Sequence, residues 1–394
     1  MEHWQNWSGR HQVDLKHLRF IRSEEDAAGV VNLTRGAGGS LRVAGSGHSH
    51  SLLVPHTDTI VDASGLAGVI ETNREDKTAW VFAGSKIYSL GRPLHDAGLA
   101  LKNQGDIDRQ AIAGACATGT HGTGRALGNL SSAVLGARVV LASGEIVDCG
   151  PGEREELWQA IRLNLGAVGL VTRLKLQCRE AYRLREAGFQ ATYDEVFPRI
   201  PELIEAHDRF EFFWYPGNDK ATVKVIEETD DPAEYPLAAE GGRCAWNYEV
   251  LPSHRPHPHT EMEYSVPLEA GPECFAAIRA LLHTRFTDVR WPVEYRTVAA
   301  DDVWLSMAHG RPTVTISVHQ DIRQDETGYY QACEEIFLAH EGRPHWGKVN
   351  YLDGDQLSAI HPRWSDWWEV RDRYDPDGVF LNDYLTSIAP GRSS

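Results

Sequence analysis

Cysteine is scarce: six in 394 residues (Cys116, Cys149, Cys178, Cys244, Cys274 and Cys333), scattered, with no CxxC pair. That spacing fits neither a zinc module nor a secreted disulfide scaffold, and it predicts reduced thiols packed as small hydrophobes. Basic residues are also short, 39 Lys and Arg against 56 Asp and Glu, for a formal net charge of −17. Nucleic acid and anionic membrane surfaces recruit clustered Lys and Arg, so neither is an expected partner. No stretch approaches the ~20 apolar residues that a spanning helix needs. The opening residues MEHWQNWSGRHQVDLKH hold no apolar run of the kind a secretory signal carries. The expectation is a soluble cytoplasmic protein, a monomer or a small homo-oligomer.

What the chain has in plenty is glycine, 36 residues, alongside 12 Trp. Hydrophobic residues make up 42% and charged residues 24%, an ordinary globular balance. The length implies more than one domain, because single cores stop growing at roughly 250–300 residues.

Residues 20–180 alternate helical and strand patterns. A helix is predicted over Ser23–Thr34, strands over Leu41–Ala44, Thr59–Val61 and Trp80–Ala83, and a helix over Lys86–Ala97. A hairpin is predicted at Val134–Ala142 and Glu145–Cys149 around Ser143-Gly144. An amphipathic helix at Glu153–Leu165 leads to the strand Leu170–Leu176. After Cys178 come aromatic strands (Phe210–Tyr215, Glu263–Val266, Thr313–His319) and longer helices (Cys274–Phe286, Tyr329–His340). Asp230–Pro236, Pro252–Thr260 and the acidic run Glu227–Glu234 read as solvated loops. Trp364–Tyr374 reads as a helix closed by Asp375-Pro-Asp-Gly378.

Two glycine-rich segments carry the first chemical signal. In Gly45-Ser-Gly-His-Ser-His-Ser51 a strand runs into a loop whose successive amides could cradle an anion. It lacks the third glycine and the following helix of a Rossmann fingerprint, and a plain turn is the alternative. Ile112–Gly124, with four glycines and three threonines, reads as backbone wrapping a polar ligand, neither packed helix nor strand. Two such loops about seventy residues apart suggest a nucleotide with a pyrophosphate.

GSGHSHS, then NQGDIDRQAIAGACATGTHGTG and NLGAVGLVTRLKL, resemble the flavin domain of the vanillyl-alcohol-oxidase superfamily. VEYRTVAADDVWLS, TISVHQ, RPHWGK and DPDGVFLNDYL are similar to the sugar-1,4-lactone oxidases (gulonolactone and arabinonolactone type) and the alditol oxidases. The resemblance runs in order from Asn6 to Tyr384. It implies an α+β, two-domain fold: an FAD-binding domain of two α+β subdomains at 1–178, and a sheet-and-helix substrate cap at 179–348. Residues 349–394 would return to the interface of the two. It implies FAD attached covalently through His48 to the flavin C8 methyl. Gly45, Ser46, Gly47, Ser49, Gly114, Ala115, Thr118, Gly119, Thr120, His121 and Gly122 would hold the cofactor, with Val171 toward its adenine. His50 has no assigned role.

Period two places Glu294 and Arg296 on one face of a strand. A solvated ion pair is the bland reading of such a triplet. The resemblance implies that the pair binds and polarises substrate hydroxyls, and that Lys348 stands beside flavin and substrate oxygen. His319 matches the lactone-oxidase pattern and would assist proton removal, a structural histidine being the alternative. Ala111 stands where alditol oxidases tend to have a serine. His254, His257 and His259 invite a metal, but no carboxylate or cysteine pattern accompanies them, and no metal is expected. The implied activity is hydride transfer from an alcohol of a small neutral sugar lactone or polyol to flavin N5, with O₂ reoxidising the flavin to give H₂O₂. The competing expectations are a dehydrogenase using another acceptor and a non-catalytic flavin-binding homologue.

Overall fold

The computed structural model describes residues 1–391. Its first part is built on two sheets. A parallel three-stranded sheet has Thr59–Asp62 between His17–Phe20 and Leu41–Ala44. The helix Glu24–Gly36 follows the first of these strands, begun by Ser23, whose hydroxyl accepts from the Asp26 amide in a capping box. The second sheet is antiparallel, ordered Ile146–Cys149, Val134–Val140, Leu170–Glu180, Thr78–Phe82 and Val69–Asn73, with Leu99–Leu101 also on Leu170–Glu180. Helix Glu155–Arg162 buries Leu157, Trp158 and Ile161, and the Trp158 indole donates to Val134 O at 3.1 Å.

Ile112–Gly124 departs from its expected irregular form. Ile112–Thr118 is a helix, ending at Gly119, with Ile112, Ala115 and Cys116 buried. Its small side chains, read as incompatible with packing, let a short helix press directly against the core. Glu227–Thr229, expected in a loop, end the strand Lys220–Thr229. The six cysteines are buried and unpaired.

The second part is an eight-stranded antiparallel sheet. Its order is Cys244–Trp246, Arg183–Thr192, Lys220–Thr229, Arg209–Tyr215, Val293–Val298, Thr313–Asp321, His259–Pro267 and Arg343–Pro344. Alternation divides each central strand between two faces. Phe212, Tyr295, Tyr264 and Ile316 are buried in the core, with Phe212 stacked on Tyr295 at 4.9 Å and Phe275 of helix Gly271–Thr284 edge-on to both. The opposite face carries the charges described below.

The C-terminal segment runs back over the first part. Helix Trp364–Tyr374 lies on helix Glu155–Arg162, and the Trp367 indole donates to Leu163 O at 3.1 Å. The Leu41 amide donates to Val379 O, and Asn382 donates to Leu52 O and Pro55 O. No helix among the described residues is long and apolar enough to cross a membrane.

Candidate active site

Two cavities meet at Gln110, which lines both. The first, about 890 Å³, is walled by backbone and small side chains. Gly45, Ser46, Gly47, His48, Ser49, Gly114, Ala115, Thr118 and Val171, all named from the sequence as cofactor residues, line it. Gly45 has no room for a side chain, since a Cβ there would fall 2.7 Å from that of Ala111. Gly47 has φ +66° and leaves the Asn6 Cα 3.3 Å from where its Cβ would be. Among the described residues, the amides of residues 46–49 donate to no other group. Four free amides in a glycine-built loop form the anion cradle that a pyrophosphate requires, so the residues present fit a flavin dinucleotide. Sequence reading missed Lys86, whose ammonium donates to Ser46 Oγ at 2.7 Å and brings positive charge to this loop.

His48 stacks on Trp7 with ring centroids 5.3 Å apart. Burial, with Lys348 and Lys86 nearby, pushes the His48 imidazole down to about 4. Four expected cofactor residues lie elsewhere. Thr120 and His121 line the second cavity, while Gly119 caps the helix and Gly122 backs against Gln104 O, and neither glycine lines either of these two cavities.

The second cavity, about 1200 Å³, is roofed by the charged face of the large sheet. Register explains its composition. Glu211 pairs with Arg296, Phe213 and Ser317 with Glu294, Ser317 with Glu263, and His319 with Glu261. Cross-strand partners share a face, so four adjacent strands deliver polar side chains to one surface. Glu294, Arg296, His319 and Lys348 all line it, which brings the four expected catalytic residues together. Glu294 and Arg296 are buried, at 5% and 7% exposure, which excludes a solvated surface pair.

Arg296 reaches three carboxylates through Nε and Nη2. Its Nη2 lies 2.5 Å from Glu294 Oε1 and 2.9 Å from Asp106 Oδ1, and its Nε donates to Glu211 Oε2 at 2.9 Å. Lys224 reaches Glu211 at 2.5 Å, and Arg255 reaches Asp106 at 2.9 Å. Three carboxylates thus meet three cations, which lets so much charge be buried. Burial and the neighbouring Asp106 and Glu211 raise the Glu294 carboxyl well above the ordinary range, although Arg296 opposes the shift. Glu294 is the carboxyl of this cluster that keeps a proton most readily.

Lys348 contacts Glu261 directly. Burial alone would raise Glu261, but the Lys348 ammonium holds it well below the carboxylate range. His319 donates from Nδ1 to Pro292 O at 2.8 Å, leaving Nε2 an acceptor, and burial lowers it to about 4. Glu263 joins the two parts of the chain, 2.8 Å from His121 Nε2 and accepting from Ser317 Oγ at 2.6 Å. Of the three loop histidines, His254 and His257 are exposed and His259 is half-buried against Trp291.

Asp106, Glu211, Lys224, Arg255, Glu261 and Glu263 escaped sequence reading. Glu261-Met-Glu263 carries the same period-two signal as Glu294-Tyr-Arg296 and could have been found by it. The others are single charges in loops or strands, legible only through register.

A glycine-lined cavity held by two α+β units, opening onto a charged sheet, defines the vanillyl-alcohol-oxidase type of FAD-binding fold. Solved structures share it over nearly the whole chain. A cholesterol oxidase superposes with TM-score 0.85 at 18% identity, covering 98% of this chain and 97% of that one. 6-Hydroxy-D-nicotine oxidase from Arthrobacter nicotinovorans gives 0.75 at 16%, covering 98% and 94%. A family model described as FAD binding domain matches residues 16–150, and FAD is the cofactor of this chain.

The chain belongs to the D-arabinono-1,4-lactone oxidase family, whose model matches residues 174–246 and 240–388. It is 33% identical to L-gulono-1,4-lactone dehydrogenase of Mycobacterium tuberculosis, covering 98% of each chain. It is 29% identical to the alditol oxidase of a Streptomyces species, covering 98% of this chain and 99% of that one. L-gulonolactone oxidase of Scyliorhinus torazame is 26% identical, with 97% of each covered. The protein is an FAD-dependent oxidoreductase acting on CH–OH donors.

Proposed function

We propose that this enzyme oxidises an alcohol of a small neutral sugar lactone or alditol, with His48 linked covalently to the flavin and O₂ as acceptor. The observation that carries the reading is the buried Glu294–Arg296 pair, on a sheet face whose cavity meets the cofactor cavity at Gln110. FAD, when bound, accepts the hydride of the donor carbon and passes the electrons to O₂ as H₂O₂.

The chain's own residues supply binding and proton handling. Glu294 and Arg296 hydrogen-bond the substrate hydroxyls and fix the carbon that reacts. His319, neutral at physiological pH with Nε2 as acceptor, takes the hydroxyl proton. Lys348, beside Glu261, stabilises the oxyanion that forms. An uncharged substrate suits a cavity whose charges are already paired with one another.

A dehydrogenase of the same substrate class is the second reading, favoured by the 33% identity to a relative of that name. Anaerobic mixing with a panel of aldonolactones, alditols and aldoses tests the substrate class: flavin bleaching with lactones or alditols is expected, and none would overturn it. H₂O₂ release in air separates the two readings. Its absence, with dye reduction intact, would establish the dehydrogenase.

A further inference from the structure

The inner wall of the second cavity holds a second constellation around Glu261. His50 Nε2 stands 3.9 Å and His259 Nε2 3.7 Å from Glu261 Oε2, and His319 Nε2 stands 3.7 Å from Oε1. These separations exceed hydrogen-bond reach. The carbonyl partners assign the tautomers: His259 donates from Nδ1 to His257 O at 2.9 Å, and His319 from Nδ1 to Pro292 O at 2.8 Å. With Nδ1 so occupied, each ring turns its Nε2 toward the carboxylate. His50 is buried and hydrogen-bonded at neither ring nitrogen, a costly state for a polar ring. Three imidazole nitrogens thus converge on one carboxylate, an arrangement that a divalent cation would join.

The Lys348 ammonium meets Glu261 but no imidazole nitrogen at hydrogen-bond distance. One ligand atom each from His50, His259 and Glu261 lie within 4.8 Å of one another. Two imidazoles and a carboxylate, open to a cavity, are the donor set of borderline divalent transition metals. The His257 carbonyl orients the His259 ring from behind, as outer-shell groups do at metal centres. The Pro256 and Pro258 rings stiffen the segment that delivers His259.

We propose that His50, His259 and Glu261 bind one divalent transition-metal ion of the Zn²⁺ class, in competition with Lys348 for Glu261. Occupancy withdraws Glu261 from the Lys348 ammonium. The site rests on these side chains alone and not on which alcohol is oxidised.

The test uses the holoenzyme, freed of adventitious metal by chelator dialysis and titrated with ZnCl₂ in a calorimeter. One equivalent should bind with Kd on the order of 10 μM or tighter. His259→Gln and Glu261→Gln should each weaken binding about a hundredfold, while His254→Gln and His257→Gln, from the same loop but outside the trio, should not. Lys348→Met, which removes the competing ammonium, should tighten binding about tenfold. Absence of stoichiometric binding, or binding lost in the His254 and His257 variants instead, would overturn the site. Unchanged affinity in Lys348→Met would overturn the competition even if Glu261→Gln failed to fold.

Discussion

The two cavities are built by opposite means. The lining of the first holds only two ionisable side chains, Arg42 and His48; the lining of the second holds thirteen Asp, Glu, His, Lys or Arg. A large cofactor of fixed shape is held by amides, which small residues expose and which keep their positions once the loop is folded. A reacting hydroxyl must be met by groups that carry or exchange charge. Those groups have to be buried in balance, and a sheet face achieves this by setting opposite signs across adjacent strands. The first cavity is therefore sensitive to bulk and the second to charge.

That contrast breaks most completely at Gly45. Gly45→Leu places a side chain where a Cβ already falls 2.7 Å from the Ala111 Cβ. The variant should lose the cofactor altogether, purifying colourless with no absorbance near the flavin maximum. Retention of FAD would mean that the loop yields, and that amide geometry does not define this cavity.

Charge removal is the next largest effect. Arg296→Ala should keep its FAD but slow anaerobic flavin reduction about 10²–10³-fold, the usual cost of losing one electrostatic stabiliser. It also leaves Glu211, Glu294 and Asp106 with less positive charge, at a cost to stability of about 3–5 kcal/mol. Arg296→Lys retains the charge without the fork that reaches three carboxylates, and separates the two effects. A reduction rate unchanged in both would remove Arg296 from the site.

Both cavities were unequally legible in the sequence. The first is written in contiguous motifs, because amides that wrap one ligand come from consecutive residues: GSGHSHS yielded five lining positions. Even there, the Ile112–Thr118 helix was misread, since small side chains signal close approach without saying whether a loop or a helix makes it. The second cavity is assembled by register. Glu211, Arg296 and Asp106 are scattered along the chain and meet only because two strands pair and a loop crosses them. In the sequence it was announced by the Glu-x-Arg triplet, His319 and Lys348, whose roles came from the family resemblance and not from spacing alone. The loop histidines show the same limit: Glu261 stands two residues after His259 and could have been read beside it, whereas the proximity of His50 is visible only in the fold.

His48→Ala tests the first cavity on its one imidazole, which is half-buried, with a smaller expected loss. Flavin should become extractable by acid precipitation, where the unsubstituted enzyme keeps its colour in the pellet, and flavin reduction should slow. Colour that stays with the precipitated variant would refute the linkage through His48.

The smallest expected effect distinguishes the cavities by pH. Burial lowers His319 to about 4 in the folded protein, against the ordinary 6.5 of the unfolded chain. Between those values the unfolded state binds the extra proton, so this group's contribution to stability is lost as pH falls from about 6.5 toward 4. Between pH 7 and pH 5 the loss amounts to about 2 kcal/mol for one such imidazole. His345, also lowered to about 4 by burial, gives the second cavity another. His319→Gln should therefore lose less stability than the unsubstituted enzyme on acidification from pH 7 to 5, measured by urea unfolding at both values. The bond proposed at His48 persists in the unfolded holoenzyme, so it changes the proton affinity of that ring in both states; the larger share of the acid dependence then belongs to the charged cavity. A His319→Gln variant with an undiminished acid slope would show that its imidazole is not held neutral, and with that the proposed proton acceptor would be lost.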